Sequence, residues 1–188
     1  MKIILFVALL TATFYSAFAQ VEEPKKDKGF VKVKYYQDFL NFRSAKPGMT
    51  RLDVFLEVPY NEIQFVKIND QFESKYTATV SIFAEDKVKL IEEKTWDEKI
   101  DVKEFPHTTS ATNFNISIKS FDMVPGKYFI RTSIEDKDSK KTFTSTNMFT
   151  IRDLNTLPNL SDLMFIAKQT AVAGSNKILP NVTRNISV

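Results

Sequence analysis

Between residues 51 and 151 apolar side chains recur at every second position, segment after segment, and no segment between them has convincing helical spacing. Side chains alternate faces along a strand, so this period predicts half-buried β-strands. The longest clean run is Phe72 to Ala84, with Tyr76, Ala78, Val80, Ile82 and Ala84 set against Lys75, Thr77, Thr79 and Ser81. Leu52, Val54, Leu56 and Val58 repeat the pattern before Pro59. Trp96, Ile100 and Val102 continue it, as do Phe114, Ile116 and Ile118. Tyr128, Ile130 and Ile134, and then Phe143, Phe149 and Ile151, complete the set. Glu62 to Ile68 reads as a further strand, and Phe30 to Tyr36 as a short first one.

Turn chemistry separates these runs. Pro47-Gly48 and Pro125-Gly126 combine a fixed φ with a residue free to take positive φ. Asn69-Asp70, Glu85-Asp86-Lys87 and Glu135 to Lys140 read as polar hairpin tips. Parallel strands need long crossovers, usually helical, so the expected fold is all-β: an antiparallel Ig-like or fibronectin-like β-sandwich of about seven strands. Tyr128 follows Gly126 at the start of a strand, the placing of a structural tyrosine corner, whose phenol bonds back to nearby backbone. A plain core tyrosine is the alternative.

The expected organisation is a signal peptide at 1–19, a charged leader and possible first strand at 20–50, the sandwich at 51–152, and a linker with the start of a second element at 153–188. Met1-Lys2, the apolar run from Ile3 and Ala17-Phe18-Ala19 have the layout of a cleaved secretory signal, with Gln20 as the new N-terminus. The apolar run is short for a membrane span, and no second one is long enough. From Leu154 to Ala173 two patterns compete. Leu160, Leu163, Met164 and Ala167 fit a helix capped by Asn159 or Ser161, whereas Leu163 to Gln169 also fits an extended chain. Lys177 to Val188 reads as the opening of a new strand at which the sequence stops, so a longer parent protein is expected.

The chain has no cysteine, which excludes disulfides, thiolate metal sites and a cysteine nucleophile. An exported chain without disulfides relies on its core, which fits a bacterial envelope better than an animal extracellular fluid. Net charge is +3, lowered by one when Lys2 leaves, and lysines are interleaved with acids; nucleic acid is not an expected partner. His107 is the only histidine and has no acid or serine pattern around it. No catalytic residue, cofactor site or metal site is therefore assigned. Glu135, Asp136 and Asp138 lack the spacing and glycine of a calcium loop, and a solvated hairpin tip is the expectation. Glu92 and Glu93 point to opposite faces and cannot act as an acid–base pair. Trp96 and Tyr60, with Tyr35 and Tyr36, could form an aromatic carbohydrate-binding platform, though a lone tryptophan in a sandwich is more often core. Asn115, Asn159, Asn181 and Asn185 stand in glycosylation sequons, relevant only in a eukaryote.

Several stretches occur in an order that resembles the N-terminal region of the GWxTD domain-containing proteins. They are Leu52 to Phe65 (LDVFLEVPYNEIQF), Tyr76 to Phe83, the Trp96 strand, Val124-Pro125-Gly126-Lys127-Tyr128, Asp136, and Leu160-Ser161-Asp162-Leu163. That family comprises exported bacterial proteins, common in the Bacteroidetes and related groups, of unestablished function. The Gly-Trp-x-Thr-Asp motif is absent, since the only tryptophan, Trp96, is followed by Asp97. The motif lies in a later region of the family, so this chain corresponds to an N-terminal piece or a short relative. The resemblance implies an exported, periplasmic or cell-surface module and assigns no site residues. The expected function is a non-catalytic structural or protein-interaction module whose partner is another protein or the remainder of its own chain. A carbohydrate-binding module, or an accessory domain of a larger enzyme, is the alternative.

Overall fold

The computed structural model describes residues 34–156, 159–172 and 175–184. The signal peptide, the charged leader and residues 185–188 lie outside the described residues. The described strands are β1 (Tyr36–Arg43), β2 (Thr50–Pro59), β3 (Val66–Ile68), β4 (Gln71–Ala84), β5 (Leu90–Val102), β6 (Phe114–Met123), β7 (Gly126–Asp136), β8 (Thr142–Ile151), β9 (Ile166–Val172) and β10 (Ser175–Pro180). A four-residue helix, α1 (Phe105–Thr108), links β5 to β6.

Every pairing is antiparallel. One sheet has the order β1-β2-β6. In the other, β4 pairs β5 on one side and β7 on the other, and β8 pairs β7. The short β3 pairs Gln71 to Glu73 on the side opposite β5, just before β7 takes over at Tyr76. This is the layout of a fibronectin-like sandwich. The core lies between the sheets: Leu52, Val54, Leu56 and Val58 of β2 meet Tyr76, Ala78, Val80 and Ile82 of β4, with Ile130, Ile134 and Ile151. Each fully buried aliphatic side chain stabilises the fold by roughly 1.5–3 kcal/mol relative to exposure.

Both rims are tied across the sheets. At the β1/β8 rim Phe39 and Phe149 lie 5.5 Å apart, and the Gln37 amide donates to Ser145 Oγ at 2.7 Å. Tyr35 Oη donates to the Thr132 carbonyl at 2.9 Å. At the β5/β6 rim Lys94 sits 4.5 Å from the Phe121 ring, and Lys119 lies 4.8 Å from the Trp96 ring. Positive φ at Asn69, Lys87 and Lys140 closes three hairpin tips, and Gly48 takes φ +73° in the turn before β2.

Three sequence expectations change. The sandwich begins at β1, from Tyr36, rather than at 51; the stretch read as Phe30 to Tyr36 ends where the described strand starts. The strand expected at Glu62 to Ile68 is only Val66–Ile68, because Tyr60–Glu62 forms a 3-10 turn after Pro59. The inward face of β6 is the one carrying Asn115, Ser117, Phe121 and Met123, not Phe114, Ile116 and Ile118. Asn115 points in and donates to Tyr76 Oη at 2.8 Å. The outward Ile116 joins a second cluster with Leu40, Phe42, Phe55, Met164 and Val182. Of the two patterns left open for the tail, the extended one is found: β9 and β10 pair antiparallel, and residues 161–165 have no regular structure.

This tail covers part of the outer face of the β1-β2-β6 sheet, so β2 is buried on both sides. It is anchored along β1: Asp162 N donates to the Asn41 carbonyl at 2.8 Å, and Asn41 N donates to Asp162 Oδ2 at 2.6 Å. Arg152 and Arg184 add ion pairs to Asp162 and Asp38. Glu57 lies on the outward face of β2, and burial pushes its carboxyl pKa up.

Tyr128 Oη donates to the Val124 carbonyl at 2.8 Å, the bond a tyrosine corner requires. Tyr128→Phe is expected to lower stability by about 1 kcal/mol, read from the urea midpoint. An acid with a raised folded pKa contributes stability that is complete below its unfolded pKa and is lost as pH rises through the folded value. Glu57→Gln is therefore expected to raise the thermal midpoint at neutral pH, with the gain over the parent chain vanishing as pH falls below the ordinary glutamate range.

Candidate functional site: the loop end of the sandwich

β2, β5 and β7 all finish at the same end of the molecule. Three connections gather there: Tyr60 to Phe65, the α1 link, and the Lys137–Lys141 tip. Sandwiches with this topology use that end to present variable loops.

Asp136, the last residue of β7, organises the loop end. It is 1% exposed. Its Oδ1 accepts the backbone N–H of Asp138 and of Ser139, both at 2.9 Å, and its Oδ2 accepts the N–H of Gln64 at 2.6 Å. One carboxylate thus holds the hairpin tip and the β2–β3 connection together. The expectation of a solvated tip holds for Asp138, which is exposed, and fails for Asp136, whose oxygens face inward to amides. Among the described residues no group of three or more His, Cys, Asp or Glu could hold a metal ion.

An open groove of about 520 Å³ lies between the three connections. Its walls carry Phe65, Phe105 and Phe143, the amides of Asn61 and Gln64, and the cations Lys34 and Lys141. Phe105 is 61% exposed and its ring lies 5.7 Å from Phe72. Lys34 pairs with Glu62 at 2.6 Å and sits 5.7 Å from the Phe143 ring. Thr108 is buried, its hydroxyl donating to the Phe105 carbonyl at 2.7 Å, which fixes the link. The groove offers aromatic surface, amides and the ammonium of Lys141; Lys34 and Glu62 engage each other, and Asp136 is taken by backbone amides.

Trp96 and Tyr60 do not form an open platform. Both pack against the main core. The Trp96 indole N–H donates to Glu98 Oε1 at 3.0 Å, and Lys119 covers its ring. Tyr60 lies 5.4 Å from Phe65, and burial raises the pKa of its phenol. Burial likewise pushes up the Tyr76 phenol, outweighing the hydrogen bond from Asn115. His107 is exposed in α1. Glu93 accepts a bond from Ser81 at 2.6 Å on the outer sheet face, and Glu92 projects the other way. Among the described residues no helix is long and apolar enough to cross a membrane. The groove residues Asn61, Gln64, Phe105 and Lys141 escaped sequence reasoning because they come from three separated connections with no shared motif.

No family model matches the chain, and no curated protein matches it. Among solved structures, the β-glucuronidase of Bacteroides uniformis aligns with 63% of this chain at 12% identity and a TM-score of 0.40. The chain spans 13% of that protein's length. A likeness of that size carries no functional argument.

Asp136→Ala removes the acceptor of three backbone N–H groups. A buried donor without a partner costs about 1–3 kcal/mol, so a loss of about 3 kcal/mol or more is expected in chemical denaturation. Asp136→Asn keeps one acceptor oxygen and is expected to lose less.

Proposed function

We propose that the chain is a non-catalytic, exported β-sandwich module of a bacterial envelope that binds another protein through the groove at its loop end. The observation carrying this reading is the preorganised groove, with three phenylalanines beside amides and two lysines on connections held by Asp136. Aromatic anchors with a cationic, hydrogen-bonding rim match the composition of protein-recognition surfaces. A rigid binding surface also saves the entropy of ordering loops on association. The engaged state of Glu62 and Asp136 supports a binding rather than a catalytic role. The small-x-small leader and the resemblance to the N-terminal region of GWxTD proteins support export.

Replacement of Phe105 by a photo-crosslinking phenylalanine in the native host tests this directly. Irradiation is expected to give a discrete adduct with one protein in the envelope fraction. The same group at Thr79, on the outer face of β4, is expected to give none. Absence of any protein adduct at position 105 would overturn the reading. The purified mature chain is expected to begin at Gln20 by mass spectrometry.

A further inference from the structure

We propose that β8 is a self-pairing edge, along which two copies of the chain join antiparallel so that their β5-β4-β7-β8 sheets become one continuous sheet. The inference does not depend on the loop-end groove.

β8 pairs only with β7 and leaves its other side at the rim of the sheet. Its ten residues, TFTSTNMFTI, include no charge, no proline and no glycine. Backbone groups alternate sides along an antiparallel strand. The Asn41 amide donates to the Thr150 carbonyl at 3.4 Å, and Arg152 N donates to Asn41 Oδ1 at 3.2 Å, so those groups face away from β7. By the alternation, the N–H and C=O of Thr144, Thr146 and Met148 face the same way. Among the described residues no group bonds to them.

The long edges β1, β5 and β6 of the two sandwich sheets are guarded. On β1 the N–H groups of Phe39, Asn41 and Arg43 are taken by Asp38 Oδ1 at 3.0 Å, Asp162 Oδ2 at 2.6 Å and Ser161 Oγ at 3.3 Å. On β6 the ammonium of Lys94 takes the Ser120 carbonyl. β5 carries Glu92, Glu93, Lys94, Asp97, Glu98 and Lys99. Charges and side-chain caps are the usual means of preventing edge pairing, and a long uncharged edge invites it.

The occupant follows from the strand's own sequence. The free groups at Thr144, Thr146 and Met148 are centred on Thr146, which places a two-fold axis there. Across that axis Thr146 meets its own copy and Thr144 meets Met148, and the ladder ends before Thr150, whose carbonyl stays with Asn41. On the other face Phe143 meets Phe149 and Ser145 meets Asn147. Threonine pairs and aromatic pairs are favourable cross-strand neighbours, and no like charges oppose one another. The contact is isologous, so it closes at two copies and leaves no further edge of this kind open.

Sedimentation velocity of the mature chain tests the proposal. A concentration-dependent dimer is expected. Thr146→Lys places like charges face to face and is expected to weaken association about tenfold or more, with an unchanged circular dichroism spectrum. Because the chain lacks cysteine, Thr146→Cys is a clean second reporter. It is expected to form an interchain disulfide under mild oxidation, since paired strands bring Cα atoms to about 5.5 Å, within disulfide reach. Thr79→Cys is expected to stay reduced. A chain that remains monomeric at all soluble concentrations would overturn the proposal. So would a dimer unaffected by Thr146→Lys and not captured by Thr146→Cys.

Discussion

The carboxylate of Asp136 accepts amide hydrogens from two separate connections, and the shape of the loop end depends on that one group. A sandwich core specifies strands through the alternation of side chains, but it does not specify how the connections beyond the strands are arranged. Those connections leave backbone amides that need acceptors if they are to be buried. Placing an acid at the last position of β7 supplies acceptors where the β7–β8 tip and the β2–β3 connection meet. The groove then opens between elements that are already fixed, with Thr108 holding the third wall through its bond to the Phe105 carbonyl.

The rest of the molecule shows the same division between a dry centre and polar ties at its margins. The interior is filled from both sheets, and its rims are closed by Gln37 to Ser145 on one side and by Lys94 and Lys119 over aromatic rings on the other. The tail adds a second, smaller apolar layer outside β2, fastened by Asp162 along β1. That fastening also occupies the β1 edge. The edges consequently differ: β1 is capped, β5 is charged, and β8 is uncharged and capped only at its end, where Asn41 takes the Thr150 carbonyl.

Alternation made β2, β4 and β7 legible through one clearly apolar face, and β5 and β8 through Trp96, Ile100 and Val102 and through Phe143, Phe149 and Ile151, which stay in phase among polar residues on the same face. It failed on β6, where Phe114, Ile116 and Ile118 face out while Asn115 and Ser117 face in. Period two identifies a strand but cannot say which face is inside when a second cluster covers the outside and a core tyrosine requires a polar partner. β1 was obscured because its inward set mixes Gln37 and Asn41 with Phe39, each chosen for contacts across the rim. The tail was ambiguous because Leu160, Leu163 and Met164 satisfy both periods. Of these, only Met164 packs into the second cluster, while Leu160 and Leu163 are more than 80% exposed. The tyrosine at 128 could be placed from the Pro-Gly turn before it, since local chain geometry determines its bond. Asp136 could not, because its partner Gln64 is 72 residues away and a charged hairpin tip gives no sign of burial.

Amide hydrogen exchange under native conditions tests most directly whether one buried carboxylate organises the loop end. If it does, the N–H groups of Gln64, Asp138 and Ser139 exchange slowly, as a cooperative unit with the end of β7, despite lying outside the regular ladder. Exchange of these three amides at the rate of the exposed linker residues Lys103 and Glu104 would contradict the account.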